Sequence, residues 1–152
     1  MKSLDNIFHE LHNHGLLILA NVSDAGGAKV VESLGATAIA TSSAGMAWAH
    51  GYADANQLPL TRLAASVETM TRILRVPLTV DIEAGYSDDL QHVASVVEAV
   101  VAAGAVGINI EDGTAPPEVL VRKIEVAREV ADKHGINVSA PQTPSNQRRR
   151  CV

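Results

Sequence analysis

Two short acidic runs hold the side chains best suited to chemistry. The first is Asp81-Ile82-Glu83, followed by Ala84-Gly85-Tyr86, and the second is Glu111-Asp112-Gly113. Asp81 and Glu83 close a run, Pro77 to Ile82, that is short, apolar and β-branched, as a strand buried on both faces should be. Two apart on a strand, they are expected to project to the same side. Neighbouring carboxylates repel and stay ionised only when a cation or a set of donors lies between them. Oxygen ligands at a strand end suit a hard ion such as Mg²⁺, which takes one or two carboxylates and keeps waters. Gly85 permits the turn that follows. The competing reading is a pair of solvated strand-end acids.

The elements that must position these acids follow from periodicity. Residues 4–13 read as an amphipathic helix with Leu4, Ile7, Phe8 and Leu11 on one face, and His9, His12 and His14 on a solvated edge. Leu16–Val22 reads as a strand, after which Ser23 or Asp24 caps a helix to about Leu34. Ala38–Ser42 is a second strand. It runs into Ser42-Ser43-Ala44-Gly45, whose amides and hydroxyls could receive an anion, and then into a loop through Trp48, His50 and Tyr52 to Asp54. Trp48 is placed over the mouth of the site, and His50 reads as structural. Leu58–Leu74 is a helix, and Ser87-Asp88-Asp89 caps another over about 88–103. Val106–Ile110 is a fourth strand. Pro116 or Pro117 opens a helix to about His134, with Arg122, Lys123, Glu125, Arg128 and Glu129 on a solvated charged face. Ile136–Ala140 completes the pattern as a fifth strand. Repeated βα units argue for parallel strands with right-handed crossovers. The acids, serines and glycines all collect at strand C-terminal ends, where parallel α/β folds keep their sites.

Composition narrows the class. The 152 residues are 47% hydrophobic and 19% charged, enough for one folded domain with a real core. Aromatics are 3%, so that core is built from Ala, Val, Leu and Ile. A formal charge of −5 and the lack of a basic face with interleaved aromatics argue against a nucleic-acid binder. A lone cysteine, Cys151, excludes an internal disulfide. No apolar run is long enough for a membrane span, and the N-terminus has no signal-peptide core, so a cytoplasmic protein is expected. Residues 141–152, PQTPSNQRRRCV, show no apolar periodicity and read as a disordered tail beyond a domain spanning 1–140.

Several ordered motifs together resemble the isocitrate lyase/phosphoenolpyruvate mutase family. They are LANVSDAGGA at 19–28, ATSSAGMAWAHG at 40–51, Asp54, Leu58-Pro59-Leu60, DIEAGY at 81–86 and GINIEDG at 107–113. The likeness is strongest to the branch that includes mutases, oxaloacetate-acting hydrolases and decarboxylases, and 2-methylisocitrate-type lyases. The resemblance implies a TIM-type (β/α)₈ barrel, here a partial barrel of about five parallel strands. It implies a Mg²⁺-dependent enzyme (Mn²⁺ being the alternative ion) that breaks a C–C or P–C bond in a small 2-oxo acid or phosphonate through an enolate-like intermediate. It further implies a homo-oligomer. Carried over, Asp81 is the direct metal ligand and also meets the substrate, while Asp54, Glu83 and Glu111 hold the metal's waters. Ser42, Ser43 and Ala44 cradle the substrate carboxylate. No residue is assigned as the catalytic acid or base.

The chain departs from the family pattern in three places. Gly113-Thr114-Ala115-Pro116-Pro117 stands where the lyases carry a Cys-Gly-His lid and the mutases an Asn-bearing one. Pro141 follows Ala140 where relatives lead into a substrate-binding arginine. A whole barrel takes about 250 residues. A frameshifted or truncated reading frame is the expected source of this switch, and a family-like continuation in another frame is its test. Two further readings stand beside the enzyme: an inactive fragment or pseudoenzyme that keeps the metal loops, and a five-stranded receiver-like signalling domain.

Overall fold

The computed structural model describes residues 2–134; the expected fifth strand at 136–140 and the tail at 141–152 lie outside the described residues. Four parallel strands form one sheet in the order β1 (Ala20–Val22), β2 (Ile39–Thr41), β3 (Leu78–Asp81) and β4 (Gly107–Asn109). Among the described residues six helices accompany them: α1 (Leu4–Asn13), α2 (Ala25–Ser33), α3 (Ser43–Ala49), α4 (Leu60–Ile73), α5 (Leu90–Ala102) and α6 (Pro117–Lys133). Each strand pairs with the next in sequence, which is the winding of a (β/α) barrel, and the described residues form an arc of one. A receiver-like doubly wound sheet has strand order 2-1-3-4-5 instead. The sequential order overturns that reading.

Sequence patterning explains most of the elements. Asp24 caps α2, its carboxylate accepting from the Gly27 amide at 2.8 Å. Asp89 caps α5 in the same way through Gln91. Val80 of the central strand, Ile82 just after it, and Val93, Val97 and Val100 of α5 are fully buried, so the core is aliphatic. Phe8, the one phenylalanine, lies in a separate small cluster with Ala38 and Val106, just before β2 and β4. Its ring lies where a side chain on Gly107 would stand: an added Cβ there would be 2.5 Å from Phe8 Cε1 and 2.9 Å from Thr79 Oγ1. Helix α1 therefore closes the N-terminal end of the strands, opposite the acidic loops.

Three expectations need correction. The first strand spans only Ala20–Val22, because its partner β2 starts at Ile39 opposite Ala20; Leu16 and Ile18, placed in the strand by their apolar character, are exposed. The loop expected from Ser43 to Asp54 begins as helix α3, capped by the Ser42 hydroxyl, which accepts from Gly45 N at 3.2 Å. Trp48 lies on that helix with 67% of its surface exposed. Lys123, assigned to a solvated face, is 2% exposed, because it shares the inward stripe of α6 with Ala127, Val130 and Ala131.

Candidate active site at the C-terminal ends of the strands

Asp81 is the last residue of β3, and three groups fix it. Its amide donates to Thr41 Oγ1 on β2 at 2.9 Å. Its Oδ2 accepts from Ser43 Oγ at 2.9 Å, and its Oδ1 accepts from the Glu83 amide at 2.9 Å. A carboxylate offers about four lone-pair sites, so two remain for a ligand after these two bonds. Asp81 is thus held in one orientation while keeping capacity to coordinate.

Glu83 reaches the same place by a different route from the one strand alternation predicts. The strand ends at Asp81, and Glu83 has φ +52°, in the left-handed region. Period-two geometry does not apply to it. It is brought to Asp81 by the turn, which Gly85 completes at φ +82° with its amide on Ile82 O at 2.8 Å. An added Cβ on Gly85 would lie 3.1 Å from Val93, so both conformation and space call for glycine here. The Glu83 side chain is 5% exposed. Its Oε2 accepts from the Asn56 amide, and its Oε1 is buried with no hydrogen-bond partner. Burial first, then the charges of Asp54, Asp81 and Glu111, hold its pKa above the ordinary 4.5.

Two further loops complete the cluster. The segment after α3 brings Asp54 and Asn56 in. Asn56 bridges the two loops, its amide on Glu83 and its Oδ1 accepting from the Tyr86 amide at 3.1 Å. Ala55, Asn56, Glu83 and Tyr86 all have positive φ, so left-handed non-glycine residues face one another across this junction. Glu111 follows β4, with its amide on Glu83 O at 2.9 Å. Partial desolvation, followed by Asp81, Asp112 and Asp54, raises its pKa. The Tyr86 phenol is raised well above its ordinary value by burial and by the charges of Glu83 and Asp81.

The structure thus brings Asp54, Asp81, Glu83 and Glu111 within electrostatic reach of one another. Among the described residues no group of three or more His, Cys, Asp or Glu side chains converges closely enough to bind an ion unaided. An ion held there by one or two direct carboxylates, with waters completing its shell, is compatible with that result. That arrangement also suits Mg²⁺, which dehydrates reluctantly. The orphaned, buried Glu83 oxygen fits a site that expects a positive partner or a bound water.

At the serine loop, Ser42 and Ser43 have different duties. Ser42 Oγ accepts the capping bond and keeps its own proton. Ser43 Oγ donates to Asp81 Oδ2. The amides of Ser43 and Ala44 stand in the first turn of α3 and have no partner within the helix. His50 bonds Ser66 across their side chains at 2.7 Å, in keeping with a structural histidine. His12 Nδ1 is 2.8 Å from Phe8 O, and its ring meets Phe8 edge-on at 4.6 Å. Sequence reasoning missed Thr41, Asn56 and Lys123. For Asn56 the one available signal is its tolerance of the left-handed region.

Comparison with known proteins shows the family of the chain. The sequence model of the family described as phosphoenolpyruvate phosphomutase matches residues 8–140. The chain belongs to that family. A Mycobacterium tuberculosis protein of uncharacterized function is 35% identical over 109 residues, covering 71% of this chain and 41% of that protein. An oxaloacetate decarboxylase from Rhodopseudomonas palustris is 38% identical over 80 residues, 48% of this chain and 27% of the enzyme. Among solved structures, a Burkholderia cenocepacia protein named as a candidate phosphonomutase superposes with a TM-score of 0.85 at 36% identity, covering 91% of this chain and 60% of that one. A phosphonopyruvate hydrolase, solved with oxalate and Mg²⁺, shares the fold at a TM-score of 0.82 and 24% identity, over 91% of this chain and 52% of that one. The matched part therefore covers less than two thirds of the length of each of these proteins. Among the described residues no helix is long and apolar enough to cross a membrane.

Proposed function

We propose that this chain carries the metal-binding half of a Mg²⁺-dependent enzyme that breaks a C–C or P–C bond in a small 2-oxo acid or phosphonate. The observation that carries the reading is Asp81, oriented by Ser43 and the Glu83 amide and ringed by Asp54, Glu83 and Glu111. Asp81 is the direct ligand, and the other three acids hold the ion's waters. Bound there, Mg²⁺ (or Mn²⁺) supplies Lewis-acid stabilisation of the negative charge that develops on a substrate oxygen when the adjacent bond breaks. The Ser42 hydroxyl and the Ser43 and Ala44 amides receive the substrate carboxylate. Asn56 and the Tyr86 turn keep Glu83 in place behind it. The solved hydrolase complex with oxalate and Mg²⁺, and the decarboxylase relative, support this substrate class.

The test begins with metal binding. Mn²⁺ titrated into the protein by calorimetry should bind saturably. Asp81→Asn can keep both local hydrogen bonds, accepting from Glu83 N and donating to Ser43 Oγ, and should stay folded while losing at least about tenfold in affinity. Pyruvate release from oxaloacetate or phosphonopyruvate then separates an active enzyme from a fragment that binds metal without turnover. The departure at Gly113–Pro117 favours the fragment for lyase substrates. Equal Mn²⁺ binding by wild type and Asp81→Asn would sink the assignment of Asp81.

A further inference from the structure

Lys123 is the buried charge that the proposed chemistry leaves unused. It lies on the inward face of α6, and its side chain is 3% exposed. Its ammonium donates to the Ala84 carbonyl at 2.8 Å and to Asp88 Oδ1 at 2.7 Å. The Asp88 side chain is 79% exposed, so much of its charge is screened by water. A buried lysine whose only carboxylate contact among the described residues is solvated is poorly explained as an ion pair. The Ala84 carbonyl is the contact that explains its position.

Ala84 lies inside the strained turn. Glu83 before it has φ +52° and Gly85 after it has φ +82°. The turn is tied to β4 through Ile82 N on Asn109 O and Glu111 N on Glu83 O, both 2.9 Å. It is tied to the 54–56 loop through Asn56 and Glu83. Lys123 supplies the remaining anchor, from the helix side. We propose that Lys123 is a positioning residue of the acidic site: through the Ala84 carbonyl it holds the 83–85 turn in the left-handed conformation that keeps Glu83 beside Asp81. It touches neither substrate nor reacting atoms and acts through Glu83. The part of the proposal that concerns metal rests on the function given above; the part that concerns the turn does not.

Two variants and two readouts separate these parts. Lys123→Met keeps the length and apolar stem but removes the donor. Asp88→Asn removes the solvated carboxylate charge and leaves the Ala84 contact. Hydrogen exchange of the Asn56 and Glu111 amides, which end on Glu83, reads the turn without any metal. Lys123→Met should speed both exchanges at least tenfold while amides of the central strand, such as Val80, stay protected; Asp88→Asn should stay within threefold of wild type. Mn²⁺ affinity by calorimetry should fall at least tenfold in Lys123→Met and hold in Asp88→Asn. Unchanged exchange in a folded Lys123→Met protein overturns the proposal, as does an equal effect of Asp88→Asn. Wild type failing to bind Mn²⁺ overturns the metal reading alone, and the exchange data still decide the role of Lys123. Should Lys123→Met not fold, Lys123→Leu, which also removes the donor, is read the same way. Uniform acceleration across the sheet in that variant would mean a general packing role and also overturn the proposal.

Discussion

Replacing Glu83 by glutamine should make the metal-free protein more stable. In wild type Glu83 is 5% exposed, and its carboxylate has one oxygen without a partner and feels the charges of Asp54, Asp81 and Glu111. Leaving a buried polar atom unsatisfied costs about 1–3 kcal/mol, and more when it is charged. Glutamine keeps the acceptor for Asn56 N and removes the charge. We expect a gain of about 1–2 kcal/mol, which for a chain of this size raises Tm by about 2–8 °C. The assay is thermal and urea unfolding in EDTA at pH 7.5. With saturating Mg²⁺ the order should narrow or reverse, because an ion at 100 times its Kd stabilises the fold by about 2.7 kcal/mol and the glutamine protein binds it less well. A glutamine variant less stable than wild type in EDTA would refute the reasoning. So would an equal Mg²⁺ gain in both proteins.

The same residue sets a pH dependence. The folded pKa of Glu83 lies above 4.5, so the folded state holds the proton more tightly than the unfolded chain. In EDTA, urea midpoints should therefore rise as pH falls from neutral toward 4.5, and Glu83→Gln should flatten that slope. Gly107→Ala drives a Cβ to 2.5 Å from Phe8 and should cost about 1–3 kcal/mol in urea unfolding; adding Phe8→Leu should recover part of it. Ser43→Ala removes a hydrogen bond to a charged oxygen of Asp81 and should lower stability by about 1 kcal/mol and Mn²⁺ affinity severalfold, without altering the sheet seen by circular dichroism.

Much of this protein is written locally in its sequence. The apolar β-branched run before Asp81, the Asp24 and Asp89 caps and the helical stripe of α5 each follow from neighbouring residues, because strand and helix periods are short-range properties. The arrival of Asp81, Glu83 and Glu111 at one end of the sheet follows as well, since parallel strands put all their C-terminal ends on one side. What local pattern cannot carry is a contact between distant segments. Asn56 meets Glu83 and Tyr86 across 27 and 30 residues, and Lys123 meets Ala84 across 39. The burial of Lys123 was half legible: spaced four, seven and eight residues before Ala127, Val130 and Ala131, it lies on their stripe, and only the neighbouring charges disguise it. Leu16 and Ile18 fail in the opposite sense, because a strand needs a partner backbone as well as apolar residues, and β2 begins too late to provide one. The sequence by itself determined which acids share an end of the sheet. Only the tertiary structure decided that Asp81 is gripped by Ser43 and Thr41, and that Glu83 is turned inward by a left-handed backbone with one oxygen left unpaired. Hydrogen-bond satisfaction and backbone strain at a junction of three loops depend on all three at once.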